Sequence, residues 1–494
     1  MKGFCLMERK AHSVKYNFIM NFALTATQFI FPLITFPYVS RILHATGTGK
    51  VSFASSVANY FMMMASLGIP TYGVRACARV RDDREQLSRT VHELFIINAM
   101  MTCLVMLTYV IAVFTVPRLA EEKTLFMVNG INICLNMFGM NWVYQALEQY
   151  DYITFRSIFL KIVSFGLMLL LIHRETDYIK YGAIVVFAAV GSYVLNFIRL
   201  RRIVDFKPLG EYDLKRHMKP VLILFSQSLA VSIYTHLDTV MLGFMKTDID
   251  VGYYHAAVRV KTLLVSLVTS LGNVLLPRMS YYVKRDMWEV FLKYTVKGLN
   301  FALLMAIPMA SYFSLFSKES ILFLAGKGYE DAILPMAIIT FTVIPIGITG
   351  LLGVQVLTSM EKEKYVLLSV IVGAVSDLIL NLVFIPRYGA AGAAFATLIA
   401  ECLVLVVQVY YTRDLLREIR PQIRILYYAA LTVAATLLSM MVKRMHGLSN
   451  FLTLAISAAV FFSVYGLGLL AIKEPVVMGV ITTARAKLRG KSKV

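Results

Sequence analysis

Seven ionisable side chains stand deep inside long apolar runs of this 494-residue sequence: Lys161, Asp238, Arg259, Lys261, Lys297, Asp377 and Glu401. A charge at the centre of a bilayer costs at least about 2.5 kcal/mol on insertion scales, so each of these groups must face a cavity or a partner. Arg259 lies at a depth similar to Asp238 on the preceding antiparallel run, which predicts an ion pair. Such a pair either locks two helices or balances a cation that meets a ligand. Arg259 and Lys261 are two residues apart, about 200° around a helix, so they cannot both point into one cavity. Lys161 and Lys297 sit only about 6–10 Å from the inner ends of their helices, where a lysine either lines a cavity or snorkels to the headgroups.

Ser369, Gly373, Asp377 and Asn381 recur at intervals of four and share one helical face, as do Thr397 and Glu401 on the next apolar run. Asp377 and Glu401 fall at similar depth. Two carboxylates in one low-dielectric site make a proton- or cation-coupling element; held separately, they make two helix-packing contacts. His236 is two residues from Asp238, on a different face, and reads as structural. No histidine has metal-ligand spacing, and the five cysteines (Cys5, Cys77, Cys103, Cys134, Cys402) show neither a ligand motif nor a disulfide framework.

The elements that must position these groups follow from composition. The chain is 58% hydrophobic and 16% charged, and apolar runs of the length that crosses a bilayer, roughly 20 residues, recur from end to end. Fourteen spans are expected, at 17–40, 51–70, 94–114, 124–145, 157–173, 181–198 and 221–243, then 251–277, 294–316, 332–359, 365–385, 390–411, 425–442 and 450–472. Alternate connectors carry 33 and 12 basic residues, and cytoplasmic loops retain Lys and Arg, so both termini are expected inside. That asymmetry accounts for most of the formal charge of +20 without a nucleic-acid surface. The basic start (Lys2, Arg9, Lys10, Lys15) reads as the flank of an uncleaved first span, and the sequence leaves either Met1 or Met7 as the start.

Residues 199–220, basic and apolar together, read as a cytoplasmic linker along the inner leaflet. YGA at 181–183 returns at 388–390, and GKVSFA (49–54) aligns loosely with GYYHAA (252–257). These weak repeats predict an N-terminal lobe over 1–198, a C-terminal lobe over 221–411, and two extra spans with a basic tail over 412–494. Pro32 and Pro37, and Pro335 and Pro345, are expected to bend the first and tenth spans.

Several stretches taken together resemble the Wzx-type polysaccharide flippases of the multidrug/oligosaccharidyl-lipid/polysaccharide exporter superfamily. They are the opening span (17–43), SLGIPTYGVRACARVRDDREQLSRT (66–90), NWVYQALEQYDYIT (141–154), LDTVMLGFMKTDIDVGYYHAAVRV (237–260) and IPRYGAAGAAFATLIAE (385–401). The resemblance spans about residues 15–415; the last two spans match less well. It implies an all-α membrane protein whose two six-helix lobes form a V around a central cavity with alternating access. Its cargo would be an undecaprenyl-pyrophosphate-linked oligosaccharide, driven by a proton or sodium gradient with no cofactor. Membrane lipids, a polysaccharide polymerase and a chain-length regulator are the implied partners.

By position the resemblance adds Arg41, Arg75, Gln145 and Glu148 to the internal cations as cavity residues. It leaves Asp238, Asp377, Asn381 and Glu401 for coupling or pairing. Arg and Lys are natural partners of a pyrophosphate in a partly dehydrated site. A multidrug exporter of the same superfamily is the nearest rival and would favour acidic cavity groups. A polymerase would present a large external loop, whereas the longest one here covers about 317–331, so no enzyme is expected. A reporter active only in the cytoplasm is expected to work when fused after Arg202 or Arg417 and to be silent after Asp248 or Lys327; the reversed pattern would overturn the charge argument.

Overall fold

The computed structural model describes residues 14–207, 210–270, 272–445 and 447–488. Lys2, Arg9, Lys10, Cys5 and the alternative start Met7 lie outside the described residues. Only a helix satisfies its own backbone where no water can, and the apolar runs fold accordingly. The first part of the chain forms α1 (Val14–Ser66), α2 (Ile69–Arg79), α3 (Arg84–Thr115), α4 (Pro117–Ala120), α5 (Lys123–Leu135), α6 (Asn141–Ala146), α7 (Tyr150–Leu171), α8 (Tyr178–Leu200) and α9 (Lys215–Met245). There follow α10 (Asp248–Thr269), α11 (Gly272–Lys284), α12 (Trp288–Leu315), α13 (Ser317–Leu324), α14 (Ile333–Ile339), α15 (Val343–Thr349) and α16 (Glu363–Tyr411). The chain closes with α17 (Arg413–Ile419), α18 (Ile425–Lys443), α19 (Asn450–Ala471) and α20 (Pro475–Leu488).

Among the described residues, nine helical stretches are long and apolar enough to cross a membrane. Two of them, α1 and α16, are each divided by one residue with non-helical backbone, His44 (φ 54°) and Gly389 (φ 53°). Each therefore supplies two of the expected spans. The expected spans at 221–243 and 251–277 fall on less apolar helix, and that at 124–145 on helices too short to cross alone. The span at 124–145 is interrupted between α5 and α6 by a 3-10 turn, and that at 251–277 breaks after Thr269. Large apolar side chains such as Leu170, Leu426 and Leu467 are exposed along the helices, as lipid-facing surfaces require.

The chain divides into two compact units, 1–233 and 234–494, with α9 running from one into the other. The first has a core of Ile69, Leu94, Trp142 and Val143 with their neighbours. Gly73 lets α2 approach α6, since a Cβ there would stand 2.6 Å from the Trp142 ring. In the second, Leu352, Val356 and Ile419 form one core; Tyr312, Phe316, Tyr428 and Phe461 form another, which seats α18 and α19 against α12.

The tenth span is the most irregular. It runs as α14, a 3-10 turn over Thr340–Thr342, α15, and a π-helix over Gly350–Leu357. Pro345 donates no hydrogen bond to the carbonyl four residues back, at Phe341, and the 3-10 turn falls there. Linker residues 205 and 211–217 are stitched to the start of α3. Arg84 makes a two-pronged ion pair with Asp205 (2.7 and 3.1 Å). The Asp213 amide and the His217 ring bond the fully buried Glu93 at 2.9 and 2.8 Å. Arg216 reaches the same carboxylate, and His217 Nδ1 meets the Tyr72 hydroxyl at 2.9 Å.

Gly389 turns the corner of α16 with a backbone conformation that side chains disfavour, and a Cβ there would stand 2.4 Å from Asp250 Oδ1. Asp250 itself closes the capping box of α10 with Thr247. Gly389→Ala is therefore expected to destabilise the second unit by about 1–3 kcal/mol, read as a lower midpoint of thermal unfolding in detergent. An unchanged midpoint would contradict the strain.

Candidate functional site

A buried polar cluster of the second unit converges on Asp238, near the end of α9, where only 6% of the residue is exposed. Asn381 donates to one carboxylate oxygen at 2.7 Å and Thr397 to the other at 2.9 Å. The Tyr254 hydroxyl donates to the oxygen shared with Thr397, and lies 3.2 Å from the Thr397 hydroxyl. Asn381 and Thr397 stand on the two arms of α16 and Tyr254 on α10, so a single carboxylate ties three helices together. Hydrogen bonds to a charged group contribute roughly 1.5–3 kcal/mol each.

This arrangement corrects the expected ion pair. Asp238 is engaged by three neutral donors and not by Arg259. Arg259 follows Tyr254 by five residues, about 140° around α10, so the face that presents Tyr254 to Asp238 turns Arg259 elsewhere. Equal depth does not ensure equal azimuth. The full set of neighbours of Arg259 includes His255, one turn back on the same helix.

Asp377 stands one turn before Asn381 and is 1% exposed. Neither of its oxygens has a hydrogen-bond donor among the described residues. The charged groups acting on it are Asp238 first, then Lys261 and Glu401. Two carboxylates from different helices thus share one buried site, with the Lys261 ammonium and a third carboxylate close by. Such a site is chemically suited to a proton or a small cation, which would relieve the repulsion between the two anions. Asp238, not Glu401, is the stronger neighbour of Asp377. Ser369 and Gly373 continue the buried face of α16, with Ser369 accepting from Gln408 at 3.0 Å.

The other predicted residues are not gathered into this cluster. Lys161 donates to Thr27 of α1 at 3.1 Å inside the first unit. Arg41 bonds the Pro37 carbonyl, Arg75 is exposed on α2, and Glu148 pairs with Arg81 at 3.1 Å. Gln145 is half-buried at the end of α6, and Lys297 is exposed near the start of α12. Sequence reasoning missed Tyr254, whose hydroxyl carries no signal in an apolar run. It also missed Arg156, which it placed in a connector. Arg156 is 7% exposed, held by the amide oxygens of Asn196 and, at 3.2 Å, Asn141, with the Tyr152 ring 5.6 Å from its guanidinium carbon. A span boundary set one residue earlier would have found it.

The helices and this polar interior define an all-α, multi-pass membrane transporter fold. The structure is similar to that of the lipid II flippase MurJ in its inward closed conformation, with a TM-score of 0.70 at 14% identity over 93% of this chain and 100% of that one. It is also similar to an inward-facing multidrug resistance MATE family transporter of the MOP superfamily, with a TM-score of 0.62 at 12% identity over 82% and 99%. At these identities the likeness is one of fold.

The polysaccharide biosynthesis protein family matches residues 14–283, more than half of the chain, and the chain belongs to that family. Among curated relatives, one named "Putative O-antigen transporter" from Escherichia coli (strain K12) is 21% identical over 81% of this chain and 97% of that protein. Another of the same name from Shigella dysenteriae is 22% identical over 80% and 98%. The resemblance to Wzx-type polysaccharide flippases read from the sequence is borne out.

A double-mutant cycle on thermal stability separates the two accounts of Asp238. Asp238→Asn and Asn381→Ala are expected to couple by about 0.5–3 kcal/mol, as groups in contact do. Strong coupling of Asp238 to Arg259, with none to Asn381, would restore the ion pair.

Proposed function

We propose that the protein is a flippase that carries an undecaprenyl-pyrophosphate-linked oligosaccharide from the inner to the outer leaflet of the bacterial cytoplasmic membrane. The product would serve O-antigen, capsule or exopolysaccharide assembly. The observation that carries this reading is the likeness to an O-antigen transporter over 97% of that protein's length. No covalent bond need form or break in such a transfer; the cargo has to be bound, screened from the bilayer and released. A pyrophosphate offers charge and oxygen acceptors for Arg259 and the span lysines, while the lipid tail stays in the membrane. A polysaccharide polymerase and a chain-length regulator would take up the product.

The driving force is assigned to the Asp238 cluster. Ion-coupled alternating access requires a site whose occupancy changes the balance between two conformations, and an ion shifts that balance only through differential affinity. Asp238, Asn381 and Thr397 join α9 to both arms of α16, and Asp377 stands unbonded beside them. Loading a proton or sodium ion there would neutralise the paired anions and let the helices close; release would loosen them.

The test uses vesicles reconstituted with purified protein and a lipid-linked oligosaccharide, with cargo in the outer leaflet trimmed by an added glycosidase. An imposed proton or sodium gradient is expected to raise the fraction trimmed above that in protein-free vesicles. Asp377→Asn should lose the gradient-dependent part with abundance unchanged. Arg259→Ala should abolish transfer and Arg259→Lys retain part of it, since lysine keeps the charge but not the planar fork. Trimming equal to protein-free vesicles would refute the flippase. Full gradient response in Asp377→Asn would remove that carboxyl from coupling.

A further inference from the structure

The second unit holds a separate cleft that shares no residue with the Asp238 cluster. It lies where α10 ends and α11 begins, against α12 and the π-helix, and has a volume of about 150 Å³. Irregular backbone at membrane depth persists where it lines a cavity, and π-turns inside helices recur at functional positions. Two such irregularities, the break after Thr269 and the π-helix, meet at this cleft.

Val268, Leu275, Phe301 and Leu351 supply apolar walls, and Val354, 45% exposed, opens one side to the surface. Thr269 adds a methyl and not a hydroxyl. Its Oγ1 donates to the Val265 carbonyl at 2.8 Å, while its Cγ2 would be the nearest neighbour, at 3.5 Å, of a Cβ at Gly350, another lining residue. Gln355 differs from these: it is only 4% exposed, and its Oε1 has no hydrogen-bond partner among the described residues. Its amide lies in the space left by Gly272, where a Cβ would stand 2.4 Å from Nε2 and 3.4 Å from Oε1.

These features fix the chemistry of an occupant. A buried amide oxygen accepts and cannot donate, so it calls for an O–H or N–H group and turns away phosphates and carboxylates. No carboxylate is among the lining residues, so a cation would enter without a counter-charge. A water molecule needs about two to four polar partners, and among the lining side chains only Gln355 has capacity to spare. A neutral molecule with an apolar body needs only that one. An apolar cavity of about 150 Å³ takes a molecule the size of benzene, which matches the volume here.

We propose that this cleft binds one neutral, single-ring aromatic molecule of the phenol type, with its ring against the apolar walls and its hydroxyl donating to Gln355 Oε1. The ligand is neither the charged, glycan-bearing cargo nor the coupling ion. The inference does not rest on what the protein transports, because its test reads binding alone.

Fluorine NMR titration of the full-length protein in detergent tests it, with p-fluorophenol as the probe and protein-free micelles as the reference. The isostere p-fluorotoluene carries a methyl in place of the hydroxyl and separates the hydrogen bond from the apolar fit. One p-fluorophenol is expected to bind saturably per chain. Gln355→Leu, which replaces the acceptor by an apolar side chain of similar size, should lower the affinity for p-fluorophenol relative to p-fluorotoluene about tenfold. Gly350→Leu should weaken both probes by about tenfold or more, since a side chain there starts in ordinary contact with Thr269 and fills the cleft. Unchanged thermal unfolding identifies the variants that report on binding. If both melt early, competition on the unaltered protein serves: phenol should displace the probe, and benzoate, an anion with the same ring and no donor, should not. Absence of saturable binding, or binding of both probes unaltered by Gly350→Leu, would overturn the site. A phenol-to-toluene preference unchanged in Gln355→Leu, or displacement by benzoate as effective as by phenol, would overturn the assigned hydrogen bond.

Discussion

The carboxylate of Asp238 is the point on which the second unit's interior turns. In a membrane-buried setting a polar group must find partners within the protein, and this one finds them on α10 and on both arms of α16. The corner at Gly389 is what allows one helix to offer two donors from opposite directions. Asp250, which caps α10, packs against that corner, so the geometry of the carboxylate and the geometry of the bend depend on each other.

Under the proposed coupling, Asp377 would give the cluster its capacity to change. A carboxylate with three good donors is a static joint, whereas a second carboxylate beside it without donors is a cost that an incoming ion or proton removes. The unit therefore contains both a fixed polar anchor, Asp238 on α9, and an unsatisfied one, Asp377, on α16 one turn from the Asn381 that bonds the first. In the first unit the comparable anchor, Glu93, is fully engaged by the linker at Asp213, Arg216 and His217. That anchor fixes the chain leading into α9.

Much of the fold was legible in the sequence because hydropathy over about 20 residues reports directly on the bilayer. Most of the expected spans fall largely on helix, those at 124–145 and 251–277 with breaks, and the buried stripe Ser369, Gly373, Asp377, Asn381 faces inward as its four-residue spacing requires. The pairing of Asp238 was not legible. Depth along a helix follows from counting residues, but azimuth between two helices depends on their packing, and that decided for Tyr254 over Arg259. Glu93 and Arg156 were lost for a simpler reason: each lies one residue outside a drawn boundary, and boundaries are where periodicity says least. The clamp on the linker and the π-helix were equally invisible, since the first depends on contacts more than a hundred residues apart and the second on the local crowding of glycines and prolines.

Coupling of ion movement to cargo movement is the central claim, and ion uptake measured in the same vesicles with and without lipid-linked oligosaccharide tests it most directly. The account predicts proton or sodium uptake that rises when cargo is present and disappears in Asp238→Asn together with cargo transfer. Cargo crossing at the full rate with no ion movement, or ion uptake indifferent to cargo, would contradict it.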